Sequence, residues 1–309
     1  MSVIYYSRLF LCFLFFFTQS VSHAQKYFSL DVDNDLYFLG DNYYSSGIFL
    51  QYGEQLNPKG KVEQESLKSY LLWELGQEIY TPSDKSSTDT SEYDYPYGGW
   101  LYLKASFQKE ITSNKQWHMG VQLGVTGDAS LAQWMQNTYH RLLLNSDELP
   151  WIDEVPQAFH VNFFADSFRR WQLREYVAFQ SHLFSKLGTQ RISAGLALGL
   201  NFGKQIVLPN GGNVLLGKKK GSGVYFGGRV QYIGHDFMLS GSLFNNSSFS
   251  LPVNRFRAFV EIGYSLQTGP WRIATVFFNR SPDNKDQPQK SHRYLKITLT
   301  RFLEKRGYK

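Results

Sequence analysis

The sequence predicts an all-β protein: a single antiparallel transmembrane β-barrel, with twelve strands and one short helix at its extracellular rim. Three observations predict this fold. Apolar and polar side chains alternate in segments along most of the chain, 17% of the residues are aromatic, and the N-terminal segment is typical of exported proteins. Outer-membrane barrels combine alternating strands of about ten residues with aromatic girdles at the membrane interfaces.

The N-terminus has the pattern of a secretory signal peptide. A basic residue, Arg8, precedes the apolar run 9–18, and small residues follow as far as Ala24. The run is too short for a transmembrane helix, which needs about 20 apolar residues. We therefore predict a signal peptide over 1–24. Cys12 is the only cysteine, so no disulfide is expected in the mature chain.

Thirteen segments alternate as strands do. They are 26–35, 46–56, 67–80, 99–112, 116–127, 157–168, 171–184, 190–203, 223–234, 236–246, 256–267, 271–280 and 293–303. Bacterial single-chain barrels have even strand numbers, so one segment is expected not to be a barrel strand. No linker divides the chain, and closure recruits every strand, which predicts one barrel domain over 25–309.

The connections predict the two ends of this barrel. Short turns are predicted at 112–115, 166–170 and 267–270, and long polar connections at 81–97, 204–222 and 281–292. Short turns on one side and long loops on the other are typical of outer-membrane barrels. The chain is therefore expected in the outer membrane of a Gram-negative bacterium, as a monomer surrounded by outer-membrane lipid.

The formal net charge of +6 is modest. Such an excess suits an anionic partner such as the phosphates of lipopolysaccharide, although an ordinary excess of basic residues on the protein surface would produce it too. No nucleic-acid partner is expected.

Residues 127–143 interrupt the strand pattern with helical spacing. Ser130 and Gln133 fit a capping box at the start of a helix. Gln136 and His140 are four residues apart, so they share a face. An apolar stripe occupies a separate face: Leu131, Trp134, Met135, Thr138 and Leu142. Histidine is the usual general base near neutral pH; a loop helix with an inert polar face is the alternative interpretation.

A second polar cluster lies at the end of the first strand. Alternation places Asp31, Asp33 and Asp35 on one side, where their carboxylates repel one another unless a cation or hydrogen bonds compensate. Asn34, Asp35 and Asp41 offer the hard oxygen donors that suit Ca²⁺. A solvated turn at the mouth of the first hairpin remains the alternative on these residues alone.

Four stretches resemble one family, the outer-membrane lipid A 3′-O-deacylases: 33–53, 76–84, 94–102 and 124–143. The resemblance implies a twelve-stranded barrel that depends on Ca²⁺ and removes the 3′-linked acyloxyacyl group from lipid A in the outer leaflet. The substrate would be lipid A or lipopolysaccharide, and the reaction the hydrolysis of a carboxylic ester.

The resemblance also implies site residues. The Asn-Asp pair that ends the family's first strand matches Asn34 and Asp35, and the helical Gln-x-x-x-His matches Gln136 and His140. Ser45 stands where the family has threonine, which keeps the hydroxyl.

Other positions depart from the family. Lys85 is displaced by about two residues from the family's lysine, so its substrate-binding role is in question. Tyr95 and Gly98 replace an arginine and an alanine of the family.

These residues suggest a mechanism of ester hydrolysis. His140 is the expected general base, assisted by Gln136, and a Ca²⁺ ion held by Asp35 would polarise the ester carbonyl. Asn34 would orient ligands or donate a hydrogen bond to the oxyanion. Ser45 could position a water molecule, the favoured interpretation, or be the nucleophile.

Two other classes remain open. One is an outer-membrane phospholipase A, in which the serine and histidine lie close in sequence. The other is a porin or adhesion barrel without catalytic activity.

Overall fold

The computed structural model describes residues 26–38, 40–56, 68–207, 209, 220–244 and 250–303. The predicted signal peptide, 1–24, lies outside the described residues. The strands are β1 Lys26–Asn34, β2 Tyr43–Leu56, β3 Ser69–Thr81, β4 Gly98–Thr112, β5 Lys115–Thr126, β6 Ala158–Arg174, β7 Val177–Gly188, β8 Arg191–Gly203, β9 Gly221–Asp236, β10 Phe256–Thr268, β11 Trp271–Arg280 and β12 His292–Leu303. The helices are α1 Ala132–Tyr139, which a π-helical turn at His140–Leu144 continues, and the single turn α2 Phe237–Ser240. Three short 3₁₀ turns lie at Leu36–Phe38, Thr90–Glu92 and Gly127–Ser130.

The strands form a closed antiparallel barrel, because β1 pairs with both β2 and β12. The prediction of twelve strands is confirmed. The segment that is not a barrel strand is 236–246, since β9 ends at Asp236 and the next residues form α2. Within the described part of the chain, no helix is both long and apolar enough to span a membrane.

Two details of the predicted connections are wrong. The segment 166–170 is not a turn, because β6 runs through it and the turn falls at 175–176. The long connection 204–220 follows the even-numbered strand β8, so it lies at the end that carries the short turns 113–114 and 269–270.

The start of the connection after β8 folds back into the barrel. The backbone N–H of Val207 donates to Asn201 Oδ1 at 3.0 Å, and its carbonyl accepts from Gln180 Nε2 at 3.2 Å. The opposite end carries α1 and the long loops 82–97, 127–157, 237–255 and 281–291. It is the extracellular rim.

Alternation determines which side chains meet lipid. In β10 every second residue is exposed, beginning with Phe256, and the intervening ones, including Arg257 and Glu261, are buried in the lumen. Because adjacent side chains of a strand point to opposite faces, one strand supplies both an apolar outer surface and a polar interior.

Large apolar side chains fill part of the lumen. An aromatic and aliphatic cluster includes Tyr43, Tyr80, Tyr95, Phe237 and Met238, so these large side chains fill space below the extracellular rim.

Buried ion pairs surround this cluster. Asp236 accepts from Arg191 at 3.2 Å and from Arg257 at 3.0 Å, and Arg257 also pairs with Asp283 at 2.9 Å. One arginine therefore links β9, β10 and the loop before β12.

Replacing Arg257 with methionine should destabilise the barrel, because it removes a charge that faces two buried carboxylates. Breaking a buried pair in this way costs on the order of 3 kcal/mol. Urea-induced unfolding of the protein in lipid vesicles measures the loss. The control is Arg141→Met, which removes an exposed pair with Glu148 and should cost less than about 1 kcal/mol. Equal losses in the two variants would contradict this account of the lumen.

Candidate functional site

The turn after β1 is organised by the carboxylate of Asp35. Its Oδ2 accepts from the backbone N–H groups of Asp41 at 2.7 Å and Asn42 at 2.9 Å, and lies 3.2 Å from His292 Nε2 at the start of β12. A Cβ atom on Gly40 would lie 2.6 Å from the same oxygen, so this close approach requires glycine. The carboxylate thus fixes the path of the chain over 40–42.

Asn34 stabilises the same turn from its other side. Its Oδ1 accepts a hydrogen bond from the backbone N–H of Leu36 at 2.7 Å. Side-chain hydrogen bonds of this kind, two residues along the backbone, start turns. Asn34 therefore shapes the turn through its amide oxygen.

Asp41 is the centre of the site. Ser45 Oγ donates to its Oδ1 at 2.8 Å, and Gln136 Nε2 donates to the same atom at 3.3 Å. His140 Nε2 lies 3.3 Å from Oδ2, to which the Lys85 ammonium also donates. Four side chains from β2, α1, the π-helical turn and the loop after β3 thus converge on one buried carboxylate.

The backbone of Asp41 is held in an unusual conformation. Its φ is 100°, in a region that favours glycine, and such residues persist only where their surroundings hold them. The N–H is bound by Asp35, and the carbonyl accepts from Thr81 Oγ1 at 3.0 Å. These contacts keep the carboxylate pointing at the four donors.

The helix α1 presents its polar face to the barrel. Gln136 is held between two partners, since its Oε1 also accepts from Trp151 Nε1 at 2.9 Å. His140 lies where the α-helix becomes a π-helix, a feature that is frequent at functional sites. Its Nδ1 lies 3.4 Å from Ser146 Oγ.

The predicted capping box is wrong. The N-cap is Leu131, which has a left-handed conformation (φ 59°), and its side chain makes no capping bond. The 3₁₀ turn before α1 ends at Ser130 and changes the direction of the chain there, which moves the helix start by one residue. Ser130 Oγ instead accepts from the N–H of Ala132 at 3.3 Å.

The predicted apolar stripe faces outward. Trp134 is 64% exposed and Leu142 is 70% exposed, whereas Gln136 and His140 are buried. The polar face of α1 is therefore the buried one.

The structure therefore brings together four of the predicted site residues, Ser45, Lys85, Gln136 and His140, through a residue that the sequence reasoning considered only as a cation ligand. The sequence signal that could have indicated Asp41 is its position four residues before Ser45. Trp151 and His292 were missed because they lie far along the chain from their partners, and spacing gives no sign of either contact.

Oxygen atoms suited to a calcium ion lie beside the site. Asp35 Oδ1 and Asn42 Oδ1 are both buried without a hydrogen-bond partner in the structure. Ca²⁺ takes such hard oxygen ligands, including amide and backbone carbonyls, so these residues fit the predicted ion. Over the described ranges there is no group of three or more His, Cys, Asp or Glu side chains placed to hold a metal. Any ion at Asp35 would therefore depend on amide, backbone or water oxygens.

A surface cavity of about 360 Å³ opens next to this turn. Gly40 and Asn42 line one side, and His292 with the cations Lys290 and Arg293 lines the other. Arg293 is exposed on the outer face of β12, so this cavity adjoins the surface that the membrane surrounds.

The fold and the site define the class: an outer-membrane β-barrel protein with a buried histidine–carboxylate cluster at its extracellular rim. A model of the family described as outer membrane protein LpxR matches residues 9–303, and the chain belongs to this family. Membership supports a role as a lipid A deacylase in the outer membrane.

The solved structure of one family member supports this fold. LpxR from Salmonella typhimurium superposes with a TM-score of 0.73 at 18% identity, covering 90% of this chain and 100% of that chain. The translocator domain of the autotransporter NalP from Neisseria meningitidis gives a TM-score of 0.46 at 7% identity, covering 96% and 94%. A comparison with curated proteins finds no match.

A carboxyl pair lies in the loop that supports α1. Burial and the neighbouring carboxylate of Asp128, which also shares a hydrogen bond, raise the pKa of Glu154 to about 7 from its ordinary 4.5. The folded loop therefore binds a proton that the unfolded loop releases, and stability falls as pH rises between these two values.

Glu154→Gln should remove this pH dependence, because the amide is neutral at every pH. Hydrogen–deuterium exchange over 145–157, corrected for intrinsic rates, should show that wild-type protection decreases between pH 5 and 8 while the variant's does not. The control Glu148→Gln, at an exposed ion pair, should behave as wild type. The same pH dependence in Glu154→Gln and wild type would rule out this pair as the cause.

Proposed function

We propose that the protein is a lipid A 3′-O-deacylase, which hydrolyses the 3′-linked acyloxyacyl ester in the outer leaflet with the help of Ca²⁺. One observation carries the proposal: four side chains converge on Asp41 at the extracellular rim. They are Ser45, Lys85, Gln136 and His140. The family of the chain supports the choice of lipid A as substrate.

His140 is the general base in this proposal. With its Nε2–H donated to Asp41, the lone pair of Nδ1 faces the Ser146 hydroxyl at 3.4 Å, and a water molecule that displaced this long contact would pass its proton to Nδ1. Asp41 holds the ring in this tautomer and stabilises the imidazolium that forms, as the carboxylate does in serine hydrolases. Gln136 fixes the position of Asp41 relative to the helix, because its own amide is bound by Trp151.

Ser45 positions the site. Its hydroxyl donates to Asp41 Oδ1, so in this arrangement its proton is not directed at His140. An activated serine nucleophile needs a base within hydrogen-bond reach, and the geometry therefore favours water as the nucleophile.

Asp35 and Asn42 would hold Ca²⁺ through their unpaired oxygens. When bound, the ion supplies positive charge that polarises an ester carbonyl and offsets the charge developing on its oxygen. Lys85 adds a cation at the other edge of the cluster. Lys290 and Arg293, at the adjoining surface cavity, offer charges that suit the phosphates of lipid A.

The rival functions have less support from the geometry. A phospholipase-type serine–histidine pair requires contact between the two side chains, whereas both bind Asp41 here. A porin requires an open lumen, whereas aromatic residues such as Tyr80, Tyr95 and Phe237 pack together inside this barrel.

His140→Ala should reduce deacylation at least about 100-fold, because general bases contribute roughly 10² or more to the rate. Mass spectrometry of lipid A from cells that express each variant measures the loss of the acyloxyacyl unit. Arg141→Ala, at the next and exposed residue, is the matched control and should retain activity. Ser45→Ala should lose less than about tenfold if water attacks; a loss as large as that of His140→Ala would identify Ser45 as the nucleophile.

The substrate assignment fails if lipid A from cells that express the wild-type protein shows no loss of an acyloxyacyl unit. Loss of a different acyl chain would support deacylase activity but contradict the assignment to the 3′ position.

A further inference from the structure

A second histidine–carboxylate cluster lies inside the lumen. Its residues are Ser106 on β4, His118 on β5, Asp166 on β6 and His182 on β7, which are four consecutive strands. Ser106 Oγ lies 2.9 Å from His118 Nε2, and His118 Nδ1 lies 3.2 Å from Asp166 Oδ2. His182 Nε2 approaches the same carboxylate oxygen at 3.7 Å.

The order of the contacts determines the protonation of the ring. Because the Asp166 carboxylate can only accept, Nδ1 of His118 carries the hydrogen and Nε2 is left to accept the hydroxyl proton of Ser106. The other acceptor within reach of this hydroxyl, the carbonyl of Leu72, lies farther away at 3.5 Å. This is the arrangement of a serine activated by a base that a carboxylate orients, and such triads are recognised by geometry rather than by fold.

The barrel holds this arrangement rigidly. His118 and Asp166 are direct partners in the pairing of β5 and β6. Gly120 faces Ser106 across β4 and β5, and a Cβ atom there would lie 2.6 Å from Ser106 Cβ. Sites built on strands are positioned more precisely than sites on loops.

A cavity gives the cluster room for a ligand. Ser106, His118, Asp166 and His182 all line an internal space of about 360 Å³. The side chains of His118 and Asp166 keep 15% and 18% exposure, so both reach this space. The residues of the Asp41 site do not line it, and the two sites are separate.

Cationic and aromatic side chains complete the cavity. Lys104 Nζ lies 5.6 Å from the centroid of the Phe164 ring, and the His118 ring packs edge-on against the same ring at 5.1 Å. Lys104 also pairs with Glu74 at 3.0 Å, so it lines the cavity as one half of an ion pair. Gln122 pairs with Lys104 across β4 and β5 and lines the same space.

We propose that Ser106, His118 and Asp166 form a second nucleophilic site that takes small esters. Ser106 Oγ bonds to the ester carbonyl carbon while its proton passes to His118 Nε2. The carbon–oxygen bond to the alcohol then breaks, and the alcohol leaves with that proton. Water, activated by the same nitrogen, hydrolyses the acyl-serine to the free acid. A cavity of about 360 Å³ lies within the range of small-molecule sites and suits short acyl groups.

A fluorophosphonate probe tests this site on the full-length folded barrel in detergent, with the labelled peptide identified by mass spectrometry. The probe bonds to an activated serine through phosphorus and releases fluoride. Labelling at Ser106 is expected, with at least a tenfold lower rate in His118→Gln and none in Ser106→Ala. The matched control is Ser193→Ala, at a serine that lines the same cavity and has no histidine contact among the described residues.

Heat-modifiable gel mobility verifies that each variant is folded. Hydrolysis of p-nitrophenyl acetate should fall at least tenfold in Ser106→Ala, while deacylation of lipid A stays at the wild-type level. No labelling of Ser106 in the folded barrel, or an equal rate in His118→Gln, would overturn the proposal. Labelling confined to Ser45 would also overturn it.

Discussion

The carboxylate of Asp41 is the contact on which the rest of the site depends. It joins a strand, a loop and a helix, and it receives two cationic or imidazole groups and two neutral donors. A buried carboxylate is stable only with such compensation. Removing the helix or the lysine would therefore leave this buried charge with fewer partners, so these elements and the turn are energetically coupled.

The turn that presents Asp41 is itself held by Asp35. Backbone amides directed at the Asp35 carboxylate fix the strained conformation of Asp41, and His292 ties this turn to β12. Closure of the barrel between β1 and β12 is thus part of the site, because the two strands carry the residues that meet there. This coupling explains how His140 can lie on a loop helix and still be positioned precisely.

Much of the fold could be predicted from the sequence because a strand with one face in lipid must alternate. β10 follows this pattern at every residue. The pattern failed where the chain left the wall: 236–246 alternates, but Phe237–Ser240 within it forms α2, and Val207, after the end of β8, folds back into the lumen. The site residues came from motif resemblance. Asp41, Trp151 and His292 did not, because contacts formed by folding leave no local spacing.

Replacing Asp41 with asparagine tests the central claim most directly, since the amide keeps the size of the side chain and removes its charge. Lipid A should be deacylated at least about 100-fold more slowly, as expected when the group that orients a general base is lost, with the thermal stability of the barrel in detergent within a few degrees of wild type. Deacylation at the wild-type rate by folded Asp41→Asn would contradict the account.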